Sequence, residues 1–401
     1  TKDPGGPAGV GLDVTVVERA PGPRGAGQSV DVRGAGREVI RRMGLEQAVR
    51  RENTGERGIV FTDATGRRRA AVPVEAFARF GGEGPTAELE ILRGRLAALL
   101  YDATRERVAY RFGDRITAVE DGAPRRTGPG GRVRVTLAGG DTVEADAVVL
   151  ADGAGSATRD LVFGPADLAG RPRVRPLGLS VAYLTIPRRP EDGSYAVWQN
   201  APGGRSVLLR PDNTGTTRAL LSFLTEPCLR AAGPDGRRAL LRERFADAGG
   251  HAPRVLAALD TTDELYAEDV GQVRMDTWSR GRTVLLGDAA CCPSPITGMG
   301  TSLALVGAYV LAGELAARPG DPAAAFAAYE VRMRPFADRA QKLPPGGPRL
   351  ANPYTRTGIR LLHAAVRTAT RPPLTALAAR LASPPADAIT LPRYDGDPTG
   401  R

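Results

Sequence analysis

Asp288 stands at the end of a short apolar run, Thr283-Val284-Leu285-Leu286-Gly287, and just ahead of a turn holding Pro293, Pro295, Gly298 and Gly300. The run suits a strand buried on both faces of a layered sheet, and its carboxyl end is where open α/β sheets bind ligands. Two prolines and two glycines disfavour regular structure and let a flat ligand approach bare backbone. The apolar residues from Ser302 to Leu315 then read as a long helix. Its first N–H groups, at Met299, Gly300 and Thr301, favour partial negative charge in the turn. A carboxylate, a glycine turn and a helix start so close together describe a cofactor site.

Two further segments have the same character. Ala147-Val148-Val149-Leu150 is an apolar strand running into Asp152-Gly153 and a polar helix start. An Asp-Gly pair turns readily wherever it occurs, so this segment gains weight from its place upstream of Gly287-Asp288. From Glu90 to Leu100 the Leu and Ala spacing is helical, with Arg93 near the start.

Taken together, these segments resemble the FAD-binding signatures of single-component flavoprotein monooxygenases of the para-hydroxybenzoate hydroxylase type. The resemblance is strongest to the actinobacterial branch that hydroxylates polyketides and tetracyclines. It implies that Asp288 holds the ribityl and pyrophosphate portion, while Pro295, Gly298, Met299, Gly300 and Thr301 lie along the isoalloxazine. It further implies that Asp152 serves the pyrophosphate and an incoming nicotinamide cofactor, and that Arg93 lies near the phosphates. Cys291 occupies a position where the family commonly has His.

At the front of the chain, Asp13–Arg19 looks like the second strand of a dinucleotide-binding βαβ unit. Glu18, at its end, is the acid that would bind the adenosine ribose, and Arg19 and Arg33 join the expected cofactor residues. That unit needs a first strand, a Gly-x-Gly-x-x-Gly loop and a crossover helix, with the acid about 20 residues beyond the loop. Only 17 residues precede Glu18. They hold Pro4, Pro7 and several glycines, and Gly6-Pro7-Ala8-Gly9 resembles only the tail of the fingerprint. Either the chain has lost its first βα element or the sequence is incomplete at its front, and with these residues alone FAD would be held weakly or lost. Two alternatives follow: a flavin-fold enzyme performing a non-redox cyclisation or isomerisation, and a non-catalytic binding protein.

Between the flavin-like motifs, segments 177–186, 195–200, 206–209 and 219–224 are strand-like and separated by Gly, Pro and Asp turns. The expected fold is α/β: a Rossmann-like FAD-binding domain interleaved with a mostly antiparallel substrate sheet, plus C-terminal helices. Residues 1–57, 81–170 and 276–330 would form the first domain, 58–80 and 171–275 the second, and 331–401 the helical region. Tyr183, Trp198, Gln199 and Phe223 are the substrate-facing candidates. By resemblance, NAD(P)H would reduce the flavin, oxygen would add at C4a, and the hydroperoxide would hydroxylate an aromatic, polyketide-like small molecule. The cofactor carries that chemistry, so no catalytic side chain is named from spacing.

Composition excludes other classes. The net charge of +10 comes from arginines spread along 401 residues, with Lys2 and Lys342 the only lysines. No block of five or six cations occurs, which argues against a nucleic-acid partner. Cys228, Cys291 and Cys292 are too few for a zinc site or a disulfide framework, and His251 and His363 are the only histidines. No metal site is expected. With no uninterrupted apolar run of membrane-spanning length, the expectation is a cytoplasmic protein without a membrane partner.

Overall fold

The computed structural model describes residues 11–25, 27–78, 89–123, 131–164, 173–262, 265–371, 374–375 and 385–394. Gly6–Gly9, the stretch resembling a fingerprint tail, lies outside them.

The largest unit is a seven-stranded sheet. Its spatial order is Tyr266–Val273, Val174–Pro187, Thr216–Leu224, Arg205–Pro211, Ala196–Ala201, Gly58–Thr62 and Arg68–Pro73. Neighbours run antiparallel except Ala196–Ala201 beside Gly58–Thr62, which is parallel. Side chains alternate between the two faces of a strand, and these strands sort accordingly. On the back face Ala182, Leu184, Val207, Leu209, Leu221 and Phe223 pack against Leu241, Phe245 and Val255. The last three belong to the helices Gly233–Phe245 and Ala252–Ala258. Each such large apolar side chain contributes about 1.5–3 kcal/mol when removed from water. The front face gathers Leu179, Val181, Tyr183, Leu224 and Val270 into a separate apolar cluster.

The remainder of the described chain is built from short ribbons under long helices. Val148–Leu150 pairs in parallel with Thr283–Leu285, and Ser279–Arg280 extends that sheet. Thr15–Glu18 pairs in parallel with Ala109–Phe112, and Ser29–Asp31 pairs antiparallel with Glu90–Leu92. A three-stranded meander, Ile116–Ala123, Arg132–Leu137 and Thr142–Ala145, adds Val133, Val135 and Leu137 to the core.

Over these ribbons lies the helix Gly300–Ala317, which packs against the helix Pro322–Ala340. The second helix starts where it does because Pro322 presets the first turn and the Asp321 side chain accepts from the Ala324 N–H at 3.0 Å. The first is the one described helix apolar and long enough to cross a membrane. Here it is a core helix, with Leu303, Val306, Val310 and Leu311 buried.

Candidate active site

Leu150 is registered opposite Leu285, so the loops bearing Asp152 and Asp288 leave adjacent parallel strands from the same sheet edge. Arg159 ties the loops together: Nη1 donates to the Ala289 carbonyl and Nη2 to the Ala154 carbonyl, each at 3.0 Å. Asp152 holds its own loop in shape by accepting from Ser156 Oγ and, at 2.6 Å, from Thr158 Oγ1. Asp288 opens the single helical turn Asp288–Cys291. Burial pushes its carboxyl above the usual range, and the nearby Arg93 guanidinium pulls it partly back. Burial also pushes the Cys291 thiol up to about 12, so it stays protonated at neutral pH.

Beyond Cys292 the backbone is forced into unusual conformations. Ser294 takes φ 79°, a left-handed value that costs a non-glycine residue roughly 1–2 kcal/mol. Gly298 follows at φ 62° without that penalty. Two buried glutamines brace the turn from behind. Gln272 Nε2 donates to the carbonyls of Pro293 at 3.2 Å and Gln341 at 2.7 Å. Gln341 Nε2 donates to those of Val273 at 2.7 Å and Cys292 at 3.2 Å. Ser302, in the first turn of the long helix, exchanges hydrogen bonds with the N–H (2.9 Å) and carbonyl (3.1 Å) of Arg33. Arg33 Nη2 in turn pairs with Asp31 at 2.7 Å.

The structure therefore brings Asp288, Pro295, Gly298, Met299, Gly300 and Thr301 together with Arg33 and Arg93, and places the Asp152 loop beside them. Glu18 instead turns back on its own chain, accepting from the Ala20 N–H at 2.7 Å, and Arg19 is exposed. Tyr183 and Trp198 lie on the sheet's front face. Gln199 and Phe223 do not, and the expectation that they face substrate is corrected. Gln199 donates to the carbonyls of Ala248 and Gly249 behind the sheet, and Phe223 meets Phe245 edge-on with centroids 6.2 Å apart. Sequence reasoning missed Asp31, Arg159, Glu268, Gln272 and Gln341. The spacing of Asp31 and Arg33, two apart at a strand end, was the one readable signal among them.

A family model for an FAD binding domain matches residues 8–342. The FAD-dependent monooxygenase asL6 of Sarocladium schorii is 34% identical over 351 residues, covering 84% of this chain and 81% of the relative. This chain belongs to the FAD-dependent monooxygenases. Monooxygenase CTB7 of Cercospora beticola is 36% identical over 384 residues, covering 89% and 88%. Among solved structures, that of tetracycline destructase Tet(55) superposes with a TM-score of 0.75 at 26% identity, covering 96% of this chain and 93% of that one.

The residues of this monooxygenase fit FAD. A Cβ built on Gly298 would sit in ordinary contact, 3.5 Å from Asp31 and 3.7 Å from Arg33, so that pair lies directly beside the turn. A Cβ on Gly300 would sit 3.7 Å from the Asp288 carboxylate, which places that acid beside the helix start. Among the described residues no side chain caps this helix, and its first-turn amides face the same turn. Ser294 Oγ is buried with no partner among the described residues. A bound flavin would take up these donors. Among the described residues, no group of three or more His, Cys, Asp or Glu is placed to hold a metal ion.

Proposed function

We propose that this monooxygenase uses NAD(P)H and dioxygen to hydroxylate an aromatic, polyketide-like small molecule held between the flavin turn and the front face of the seven-stranded sheet. The observation that carries the reading is the composition of that face. Leu179, Val181 and Tyr183 form an apolar wall, and Phe61 stacks on Trp198 with centroids 5.8 Å apart further along. A broad surface of flat and branched apolar groups suits a fused-ring ligand. The tetracycline destructase it resembles, whose name gives a polycyclic compound, supports the substrate class.

Bound and reduced, FAD supplies the activation of dioxygen and the transfer of one oxygen atom. The protein's part is placement. Asp31, Arg33 and Arg93 would hold the cofactor's polar groups, with Asp288 beside the start of the long helix. Gly298 and Gly300 keep the backbone close to its ring. The apolar wall shields the reacting ring from water and fixes which carbon faces the flavin.

Turnover of NADH or NADPH by the FAD-loaded protein, with a panel of polycyclic phenols under labelled dioxygen, tests this reading. Substrate-stimulated oxidation with label in the product is expected. A product made without oxygen incorporation would sink the proposal in favour of a non-redox enzyme.

A further inference from the structure

On the front face, where the strand Tyr266–Val273 lies beside Val174–Pro187, an acid is enclosed by two phenols. Glu268 Oε1 accepts from Tyr183 Oη at 3.0 Å, and Oε2 accepts from Tyr266 Oη at 3.3 Å. Tyr183 is 8% exposed and fixed, whereas Tyr266 is 59% exposed and its bond is the longer. Each oxygen of a carboxylate has two lone pairs, so the pair of tyrosines leaves Glu268 able to accept further hydrogen bonds. The acid shares the front face with Val181, its register partner, and its strand runs to the flavin turn, where the Val273 N–H donates to the Cys292 carbonyl at 3.1 Å; Asp288 and Arg93 are close enough to act on its charge. Arg230 lies near Tyr266, held there because Asp269 accepts from the backbone N–H groups of Cys228, Leu229 and Arg230. Nothing in the placement of the cofactor residues calls for an acid here.

Resting on the hydroxylase reading above, we infer that Glu268, oriented by Tyr183 and Tyr266, accepts a hydrogen bond from a phenolic hydroxyl of the substrate and so selects hydroxylated aromatic rings. The existing partners are themselves phenols, which shows that the acid's surroundings admit an aromatic ring edge with its O–H directed inward. A methyl ether is disfavoured because it offers no proton and leaves the half-buried acid unmatched. Burial pushes the Glu268 carboxyl above its usual range, with the hydrogen bonds from Tyr183 and Tyr266 pulling it partly back. The accepting carboxylate form therefore grows as pH rises through that elevated value. Glu268 and Tyr266 face Arg93, Arg230, Asp288 and Tyr183, and burial raises the Asp288 carboxyl as well, so the pH dependence belongs to Glu268 only where Glu268→Gln abolishes it.

The test is binding of 1-naphthol and its methyl ether to the FAD-loaded protein, measured by calorimetry between pH 5 and 8. In the wild type, naphthol should bind at least about tenfold more tightly than the ether at pH 8, with the preference shrinking on acidification. Glu268→Gln should lose both the preference and its pH dependence, and Glu268→Asp should keep their sign. Tyr266→Phe, an exposed change that cannot unfold the sheet, should weaken the preference without abolishing it. Equal affinities for the two ligands in the wild type, or an unchanged preference in Glu268→Gln, would overturn the inference. Failure of the hydroxylase reading shows elsewhere, as absent oxygen incorporation in a protein that still discriminates phenol from ether.

Discussion

Replacing Arg210 with Met should cost the protein several kcal/mol of stability at pH 8 and distinctly less at pH 6. Arg210 leaves the front face of the sheet and enters a nest of acids. Its Nε and Nη2 donate to Glu56 at 2.8 and 3.0 Å, and Nη2 also pairs with Glu90. The Glu56 and Glu90 side chains are 2% and 3% exposed. Thr54 Oγ1 donates to Glu90 at 2.6 Å. Burial raises the Glu90 carboxyl, and Glu56 and Asp31 raise it further against the pull of Arg210. Removing the cation from a buried pair typically costs about 3–5 kcal/mol, because the remaining charge stays unmatched. The variant can lessen that cost by keeping a proton on one acid. A carboxyl whose folded pKa is raised binds its proton more tightly in the native state, so stability falls as pH climbs from the ordinary carboxyl range through the folded value. Each extra proton retained is worth ~1.4 kcal/mol per pH unit, and wild-type Glu90, raised to about 7, already keeps its proton over the lower half of the interval, so the deficit should widen by ~1.4 kcal/mol between pH 6 and pH 8. Urea unfolding followed by tryptophan fluorescence reads this directly. Arg210→Met/Glu90→Gln should regain much of the loss at pH 8. A deficit that is the same at both pH values, or one below about 1 kcal/mol as for a surface pair, would refute the reasoning.

Gly298→Val should weaken FAD binding at least about tenfold while circular dichroism stays native, since a branched side chain in left-handed backbone costs roughly 1–2 kcal/mol and lies directly beside Asp31 and Arg33. Gln341→Leu removes two donors from buried carbonyls and should lower stability by about 1–3 kcal/mol, with faster flavin release visible in stopped-flow fluorescence. Phe223→Ala should cost ~3–5 kcal/mol in unfolding experiments yet leave the KM of the folded enzyme unchanged, whereas Tyr183→Phe should alter KM with little loss of stability.

The cofactor turn was legible because its chemistry is written in consecutive residues. An apolar strand, Asp288, two prolines, two glycines and a helix start lie within one short stretch, and local rules suffice to read them. The sheet was legible as strands but not as faces. Gln199 and Phe223 looked like cavity residues because aromatic and amide side chains suit a ligand equally well as a core. Only the register, with Trp198 opposite Phe61 and Gln199 opposite Thr62, shows which side each takes. The braces were hidden for a different reason. Gln272 and Gln341 meet across 69 residues, and Arg159 reaches Ala289 across 130, so no window along the chain contains both ends of those bonds. Glu268 was silent because its partner Tyr183 lies 85 residues away.

The most direct test is the visible spectrum of the purified full chain after incubation with FAD and gel filtration, run beside Asp288→Ala. Oxidised-flavin absorption should stay with the wild-type protein and be weakened or lost in the variant. A wild-type protein that emerges folded and colourless from excess FAD would contradict the FAD assignment.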